Sequence, residues 1–326
     1  TPLYSSAASD VYKRQVYDKI YARGAELTGI KQKLFYWAVD LGLQYEPYGE
    51  NGAWYEFKLK IAKKLILSKW KEALGGNLEL IASGSAALQP RLARIFTAAG
   101  MTLVEGYGLT ETSPVISVND MRKNKFKIGS VGQIIDGVHV KIAKDGEILC
   151  KGPNIMMGYY KDLEKTAEVM TDDYFHTGDI GEIDKQGFLK ITDRKKEMFK
   201  TSGGKYISPQ VIENIMKQSL FIEQIMVVGD GRKMPTALIQ PNIEYVMKWL
   251  ADNGTPSKSL EEACKEESLL KALQKEIENY NEKFGSWERI KKFELVPEEW
   301  SIDAGHLTPT MKLKRKVVKE KYIALI

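Results

Sequence analysis

Glu105-Gly106-Tyr107-Gly108-Leu109-Thr110-Glu111-Thr112 follows directly on residues 101–104, an apolar run that reads as a β-strand. Its glycines let backbone approach a ligand closely. Tyr107 offers a flat face to a base. A hydroxyl and a carboxylate side by side can hold a phosphate oxygen and a Mg2+ ion. Taken alone, the stretch reads equally well as a Gly-rich turn with ordinary capping residues.

Immediately upstream, residues 78–82 read as another strand, followed by the tight loop Ser83-Gly84-Ser85-Ala86-Ala87. Pro90 then opens a helix at a position where its missing N–H does no harm, and Gly100 closes it. This strand–loop–helix–strand order belongs to an α/β sheet. Farther upstream, residues 16–74 read as mostly helical. Ile61, Leu65, Leu67, Trp70 and Leu74 recur at near-helical spacing with lysines between them, and Gly75-Gly76 ends the run. Such a face can lie on a membrane surface as a peripheral contact. The reading adopted is a face packed on the domain core.

Downstream, residues 127–192 change to short strands punctuated by Asp136-Gly137, Asp145-Gly146 and Gln186-Gly187, as in a small barrel-like β region with hairpin turns. Residues 209–218 then read as helix, 225–229 and 237–240 as strands, and 259–284 as charged helix. The expected class is α/β: the C-terminal part of a large domain, with an α/β sheet and a small β-barrel-like region, then a small α+β domain. The boundary falls in the charged segment 193–196, which gives domains 16–193 and 194–326.

The 326 residues suffice for two domains. No apolar run reaches the length of a transmembrane helix. Cys150 and Cys264 are far apart, so neither a disulfide framework nor a zinc site is expected, and the pattern fits a reducing compartment such as a cytoplasm. The net charge of +5 is partly concentrated in residues 312–321. Aromatic residues are not interleaved with that run and no RNA motif accompanies it, so no nucleic-acid partner is expected. Asn253-Gly254-Thr255 reads as a surface turn. Residues 1–15 read as a non-native leader. Asp10-Val11-Tyr12-Lys13-Arg14-Gln15 back-translates to a sequence resembling a transposon end used in library preparation. Helical patterning still runs at Ala324-Leu325-Ile326, so both ends read as those of a truncated reading frame.

Three further stretches carry chemistry. In Tyr174-Phe175-His176-Thr177-Gly178-Asp179, an aspartate after a glycine turn can accept hydrogen bonds from two ribose hydroxyls, or be a solvated hairpin residue. His176 reads as positional, since no second ligand stands at metal spacing. Residues 193–205 place Arg194, suited to bidentate recognition of oxygens, in a charged run that also reads as a linker. Leu307-Thr308-Pro309-Thr310-Met311-Lys312-Leu313-Lys314-Arg315 places a lysine where it can stabilise charge at a carboxylate–phosphate junction, or simply begin a basic helix.

Taken together and in order, these blocks resemble the adenylate-forming superfamily of acyl-CoA synthetases, luciferases and adenylation domains. Tyr107-Gly108-Leu109-Thr110-Glu111 resembles its ATP motif, and Gly146-Glu147 through Gly158-Tyr159-Tyr160 its core β motif. His176–Gly181 followed by residues 187–196 resembles the long-chain fatty-acyl-CoA synthetase signature. The resemblance implies ATP-dependent activation of a fatty acid and its transfer to CoA, with Mg2+ as cofactor. By resemblance, Gly84, Ser85, Ala86, Gly106, Tyr107 and Gly108 border the adenine and acyl-adenylate pocket. Thr110 binds phosphate, Glu111 holds Mg2+, and Asp179 and Arg194 hold the ribose. Lys196 is the hinge, Lys312 the lysine of adenylation, and Lys200 and Gly203 the face used for thioester formation. Met311 departs from the glycine many relatives have there. The family's phosphate loop lies upstream of residue 16, and nothing in 16–74 matches it, so the chain by itself is expected to be inactive. A CoA ligase for an aromatic acid and a non-catalytic nucleotide-binding protein are the alternatives.

Overall fold

The computed structural model describes residues 6–84, 88–122, 124–309 and 312–325. Contacts divide the chain into two compact units, 1–191 and 192–326.

The first unit begins with helices. α1 (Ser6–Ala25) takes in the described part of the segment read as a leader, since no proline or glycine interrupts the backbone before Gly24. α2 (Gly29–Leu43) follows, then α3 (Ala53–Ala62), which runs through a π turn at Lys63–Leu67 into α4 (Ser68–Ala73). The expected apolar face divides in two. Leu67 and Trp70 are buried with Leu59 and Ala62, while Ile61 and Leu65 are exposed. Ile61 and Leu65, four residues apart, share one side of the helix, whereas Leu67, two residues beyond Leu65, faces the other. The π turn widens the spacing of buried positions from three or four to five between Ala62 and Leu67, which keeps Leu67 and Trp70 in line with Leu59 and Ala62.

β1 (Leu80–Ser83) and β2 (Thr102–Tyr107) are parallel and joined by α5 (Pro90–Ala98), the α/β unit expected. Pro90 occupies the first turn of α5, and Gly100 at φ +88 turns the chain back to the sheet. Leu92, Ile95 and Phe96 on α5 and Leu103 on β2 are fully buried in one core with α1–α4. β2 runs three residues beyond the expected strand, so Glu105, Gly106 and Tyr107 are themselves strand residues. β3 (Ser117–Val118) and β4 (Gln133–Ile134) extend this sheet antiparallel.

The β-rich region is a five-stranded sheet of β5 (His139–Ile142), β6 (Glu147–Lys151), β7 (Met170–Thr171), β8 (Tyr174–Ile183) and β9 (Leu189–Arg194), with α6 (Leu163–Val169) before β7. Gly146 (φ +87) and Gly187 (φ +82) stand in the β5–β6 and β8–β9 turns, as their Asp-Gly and Gln-Gly pairs suggested.

The second unit opens with the hairpin β10 (Phe199–Lys200) and β11 (Tyr206–Ile207), then α7 (Pro209–Met216). β12 (Ile222–Val228), β13 (Thr236–Pro241) and β14 (Lys292–Leu295) form its sheet, antiparallel then parallel. α8 (Ile243–Asp252), α9 (Leu260–Ala263) and α10 (Glu267–Asn281) lie between β13 and β14 in sequence, and α11 (Arg315–Lys321) follows. Val246, Leu250, Leu269, Leu273 and Ile277 from these helices are buried with Ile225, Val227 and Ile239 of the sheet. α8 and β14 are elements the sequence pattern did not reveal.

Candidate functional site

The C-terminal ends of β1 and β2 lie side by side, with Ser83 paired to Glu105. A Cβ on Gly84 would stand 3.7 Å from the Gly106 carbonyl, so the loop after β1 runs close along this strand end. Ser85 and Ala86, the next predicted binding residues, lie outside the described residues. The backbone N–H of Leu88 donates to the buried Glu105 carboxylate at 3.2 Å, which ties the far end of that loop to the same strand.

Gly108 can be nothing but glycine in this backbone. A Cβ there would meet the Pro114 carbonyl oxygen at 1.7 Å. The tight crossing lets Thr110–Thr112 form one 3-10 turn. The Thr112 hydroxyl accepts the Leu109 N–H at 2.9 Å, and Asn154 Nδ2 donates to the Thr112 and Val115 carbonyls. Thr110 is exposed and Glu111 half-buried beside it. The Tyr159 hydroxyl donates to Glu111 Oε1 at 3.1 Å, and Met156 N–H donates to the Glu111 carbonyl at 2.9 Å. Burial and the Glu111 carboxylate raise the Tyr159 pKa, which keeps that phenol a donor. Met156 and Tyr159 thus fold over the 105–112 stretch and orient the Glu111 carboxylate.

Asp179 reaches the same strand end from β8. Glu147 pairs with Ile180 and Leu149 with His176, so the register slips by two, and residues 177–179 bulge opposite Ile148. Gly178, at φ +72, supplies the backbone shape the bulge needs. Its N–H donates to Glu147 Oε1 at 3.0 Å, and His176 Nδ1 lies 3.1 Å from Glu147 Oε2. The Thr177 hydroxyl donates to the Ile148 carbonyl and accepts the Asp179 N–H. The bulge directs the buried Asp179 to Tyr107, whose hydroxyl donates to Asp179 Oδ2 at 2.8 Å. Burial first, then the Asp179 charge, holds the Tyr107 phenol far above its ordinary range. Two stretches 72 residues apart are brought together at one point.

Sequence reading missed the roles of Glu147 and Tyr159. Glu147 had a legible signal, because a carboxylate opening the apolar strand Glu147-Ile148-Leu149-Cys150 must find partners once buried. His176 rests on that same carboxylate. Among the described residues no group of three or more His, Cys, Asp and Glu gathers as a metal cluster. Mg2+ commonly binds through one or two carboxylates plus substrate phosphates, so Glu111, with the Thr110 hydroxyl adjacent, fits such an ion.

In the second unit, Arg194 and the exposed Lys196 occupy a turn in which the Arg194 carbonyl accepts the Glu197 and Met198 N–H groups. The preceding Asp193 is fully buried, and burial raises its pKa to about 7, against hydrogen bonds from the Arg194 and Gln210 N–H groups. Lys200 is exposed on β10, its ammonium 5.4 Å from the Tyr206 ring. Gly203 lies in the β10–β11 turn, which Ser202 N–H and Gly231 N–H stitch to residues 229–232. Lys312 sits in a loop closed by Thr308 N–H donating to the Lys312 carbonyl at 2.8 Å and by a bridge between Leu307 and Leu313. Met311 lies outside the described residues. Just beyond the loop, Arg315 Nη1 donates to Glu213 Oε1 at 2.7 Å and Nη2 to the Val227 carbonyl at 2.9 Å. Arg315 closes the basic stretch singled out in the sequence and Glu213 lies in no motif; their pairing was not anticipated.

Residues 47–160 match the family model described as AMP-binding enzyme, and residues 197–326 the one described as AMP-binding enzyme C-terminal domain. The chain is 36% identical over 314 residues to long-chain-fatty-acid–CoA ligase FadD15 of Mycobacterium bovis, covering 94% of this chain and 52% of the relative. It is 35% identical over 280 residues to the peroxisomal long chain acyl-CoA synthetase 7 of Arabidopsis thaliana, covering 81% and 40%. The chain therefore spans about half the length of the curated relatives it matches. Among solved structures, the adenylation domain of a carboxylate reductase from Mycobacterium chelonae superposes with a TM-score of 0.65 at 21% identity, over 90% of this chain and 44% of that one. The anthranilate CoA ligase AuaEII superposes with a TM-score of 0.60 at 22% identity, over 81% and 49%. These two likenesses are of fold.

Proposed function

This chain belongs to the AMP-binding enzyme family, and from that premise we propose that it supplies the nucleotide-binding and mobile parts of a ligase that joins a long-chain fatty acid to CoA through an acyl-adenylate. The observation that carries the reading is the Tyr107–Asp179 hydrogen bond, because it joins the ATP motif to the proposed ribose carboxylate. The names of the relatives in two kingdoms favour a fatty acid over an aromatic acid.

In this reading the fatty-acid carboxylate attacks the α-phosphate of ATP and pyrophosphate leaves. Asp179, fixed by Tyr107 and by the bulge on Glu147, accepts hydrogen bonds from both ribose hydroxyls, and Arg194 adds a second ribose contact. Gly84, Gly106 and Gly108 give the adenine and the acyl-adenylate a wall without bulky side chains. Thr110 donates to a phosphate oxygen. Glu111, held by Tyr159, would hold Mg2+, which when bound offsets phosphate charge. Lys312 stabilises the negative oxygens of the adenylation transition state. The chain then turns at Lys196, withdrawing Lys312 and presenting Lys200 and Gly203. The CoA thiol, losing its proton, attacks the mixed anhydride, and AMP departs as the thioester forms. Cys150 and Cys264, both free, suit a reducing compartment such as a cytoplasm.

Pyrophosphate exchange tests this. An enzyme completed with the N-terminal part of its mycobacterial relative is assayed against palmitate, octanoate and anthranilate. Exchange dependent on the fatty acids supports the reading. Exchange with anthranilate alone overturns the substrate, and AMP binding without exchange overturns the enzymatic reading in favour of a nucleotide-binding protein.

A further inference from the structure

The helix that runs from α3 into the π turn has two apolar faces, and among the described residues only one of them is packed in the core. Tyr55, Leu59 and Ala62 are buried in the helical core. Trp54, Phe57, Ile61 and Leu65 are 70%, 54%, 38% and 45% exposed. Their spacing of three, four and four residues places them in one line along the helix. Isolated exposed apolar residues need no explanation, but a continuous stripe of four large ones does. The rings of Trp54 and Phe57 stack with centroids 5.6 Å apart, and the Lys58 ammonium lies 5.9 Å from the Trp54 ring.

Charge indicates what the stripe meets. Lys58 borders it on one side, and Lys60 and Lys64 on the other. Between Ala53 and Ser68 the helix carries four lysines, Lys58, Lys60, Lys63 and Lys64, against one acid, Glu56. A purely apolar protein partner would leave these lysines desolvated and unpaired. A surface that is apolar within and anionic at its rim suits both features. Lysine stems run along apolar surface while their ammonium groups reach outward, and Trp rings favour such a boundary. The core packing of the opposite face fixes the stripe outward, so no rearrangement is needed to present it.

We propose that the Trp54–Phe57–Ile61–Leu65 stripe docks α3 in the plane of an anionic lipid bilayer, with its lysines on lipid phosphates. This docking holds whether or not the ligase reading does.

Flotation of the chain with phosphatidylcholine vesicles, with and without phosphatidylglycerol, tests it. The chain should float with the anionic vesicles and be released by high salt. Ile61→Asp with Leu65→Asp should abolish flotation, and Lys58→Gln with Lys64→Gln should weaken it on the order of tenfold. Circular dichroism melts should match the parent, since these positions are exposed. Should the double Asp variant misfold, Phe57→Ser serves the same purpose. Failure of the chain to float, flotation unchanged by these variants, or a self-association in sedimentation that the Asp variant abolishes would overturn the proposal, the last in favour of a second copy.

Discussion

The Tyr107 hydroxyl spans two motifs, and its removal leaves a buried carboxylate short of one donor. Hydrogen bonds to charged groups contribute about 1.5–3 kcal/mol. Tyr107→Phe keeps the ring and deletes only the donor to Asp179. Calorimetric titration of the variant with AMP should show affinity lower by about an order of magnitude, with the melting temperature close to the parent's. Equal affinity would separate Asp179 from the ribose. At this scale the sequence displayed Tyr107, Glu111 and Asp179 because local glycines marked them. It did not display Glu147 or Tyr159 as partners. Their hydrogen bonds cross 31 and 48 residues of chain, and such pairing depends on strand register rather than on local pattern.

The turn after β2 exists only because residue 108 has no side chain. A Cβ on Gly108 would meet backbone of Pro114, which cannot swing aside, whereas one on Gly84 would have its nearest neighbour at 3.7 Å. Gly108→Ala should therefore cost ~3 kcal/mol and lower the melting temperature by several degrees, while Gly84→Ala leaves it unchanged. A thermal melt of the two variants decides between a general and a local glycine requirement. A second element-scale expectation concerns β9, where Asp193 is buried and its pKa stands at about 7 against an ordinary 3.8. A raised acid pKa means the folded state holds its proton more tightly than the unfolded one. The resulting stabilisation is complete below about pH 3.8 and is lost as pH rises through 7. One pKa unit corresponds to about 1.4 kcal/mol, so the effect is on the order of a few kcal/mol. Urea unfolding across that range should show stability of the second unit falling with pH, and Asp193→Asn should flatten the slope. α5, with its proline start and glycine stop, was legible in advance. The division of α3 into two faces was not, because apolar residues stand on both sides of it and the pattern alone does not say which side is packed.

On the scale of the whole molecule, the order of elements was readable because each unit repeats a familiar pattern: parallel strands about a helix, then hairpins, then a smaller sheet with helices. The assembly of catalytic groups was less so, because Lys312 and Lys200 come from separate stretches of the second unit and their roles follow from resemblance. They nevertheless stand in different local settings. Lys312 lies in the loop closed on Thr308 and followed by the Arg315–Glu213 pair. Lys200 lies on β10 beside Tyr206. If the two faces serve in turn, their losses must separate kinetically. In the completed enzyme, Lys312→Ala should slow adenylate formation from ATP by two orders of magnitude or so, the usual scale for one positioned charge. It should leave thioester formation from premade acyl-adenylate nearly unchanged. Lys200→Ala should do the reverse. Single-turnover measurement of each half-reaction distinguishes the cases. Removing Arg315 provides the structural control. Arg315→Ala leaves the buried Glu213 uncompensated and should destabilise the unit by about 3 kcal/mol, slowing both half-reactions through unfolding rather than one through chemistry. Were Lys312→Ala and Lys200→Ala to depress the same half-reaction equally at unchanged stability, a turn about Lys196 would have no work to do, and both lysines would belong to one face.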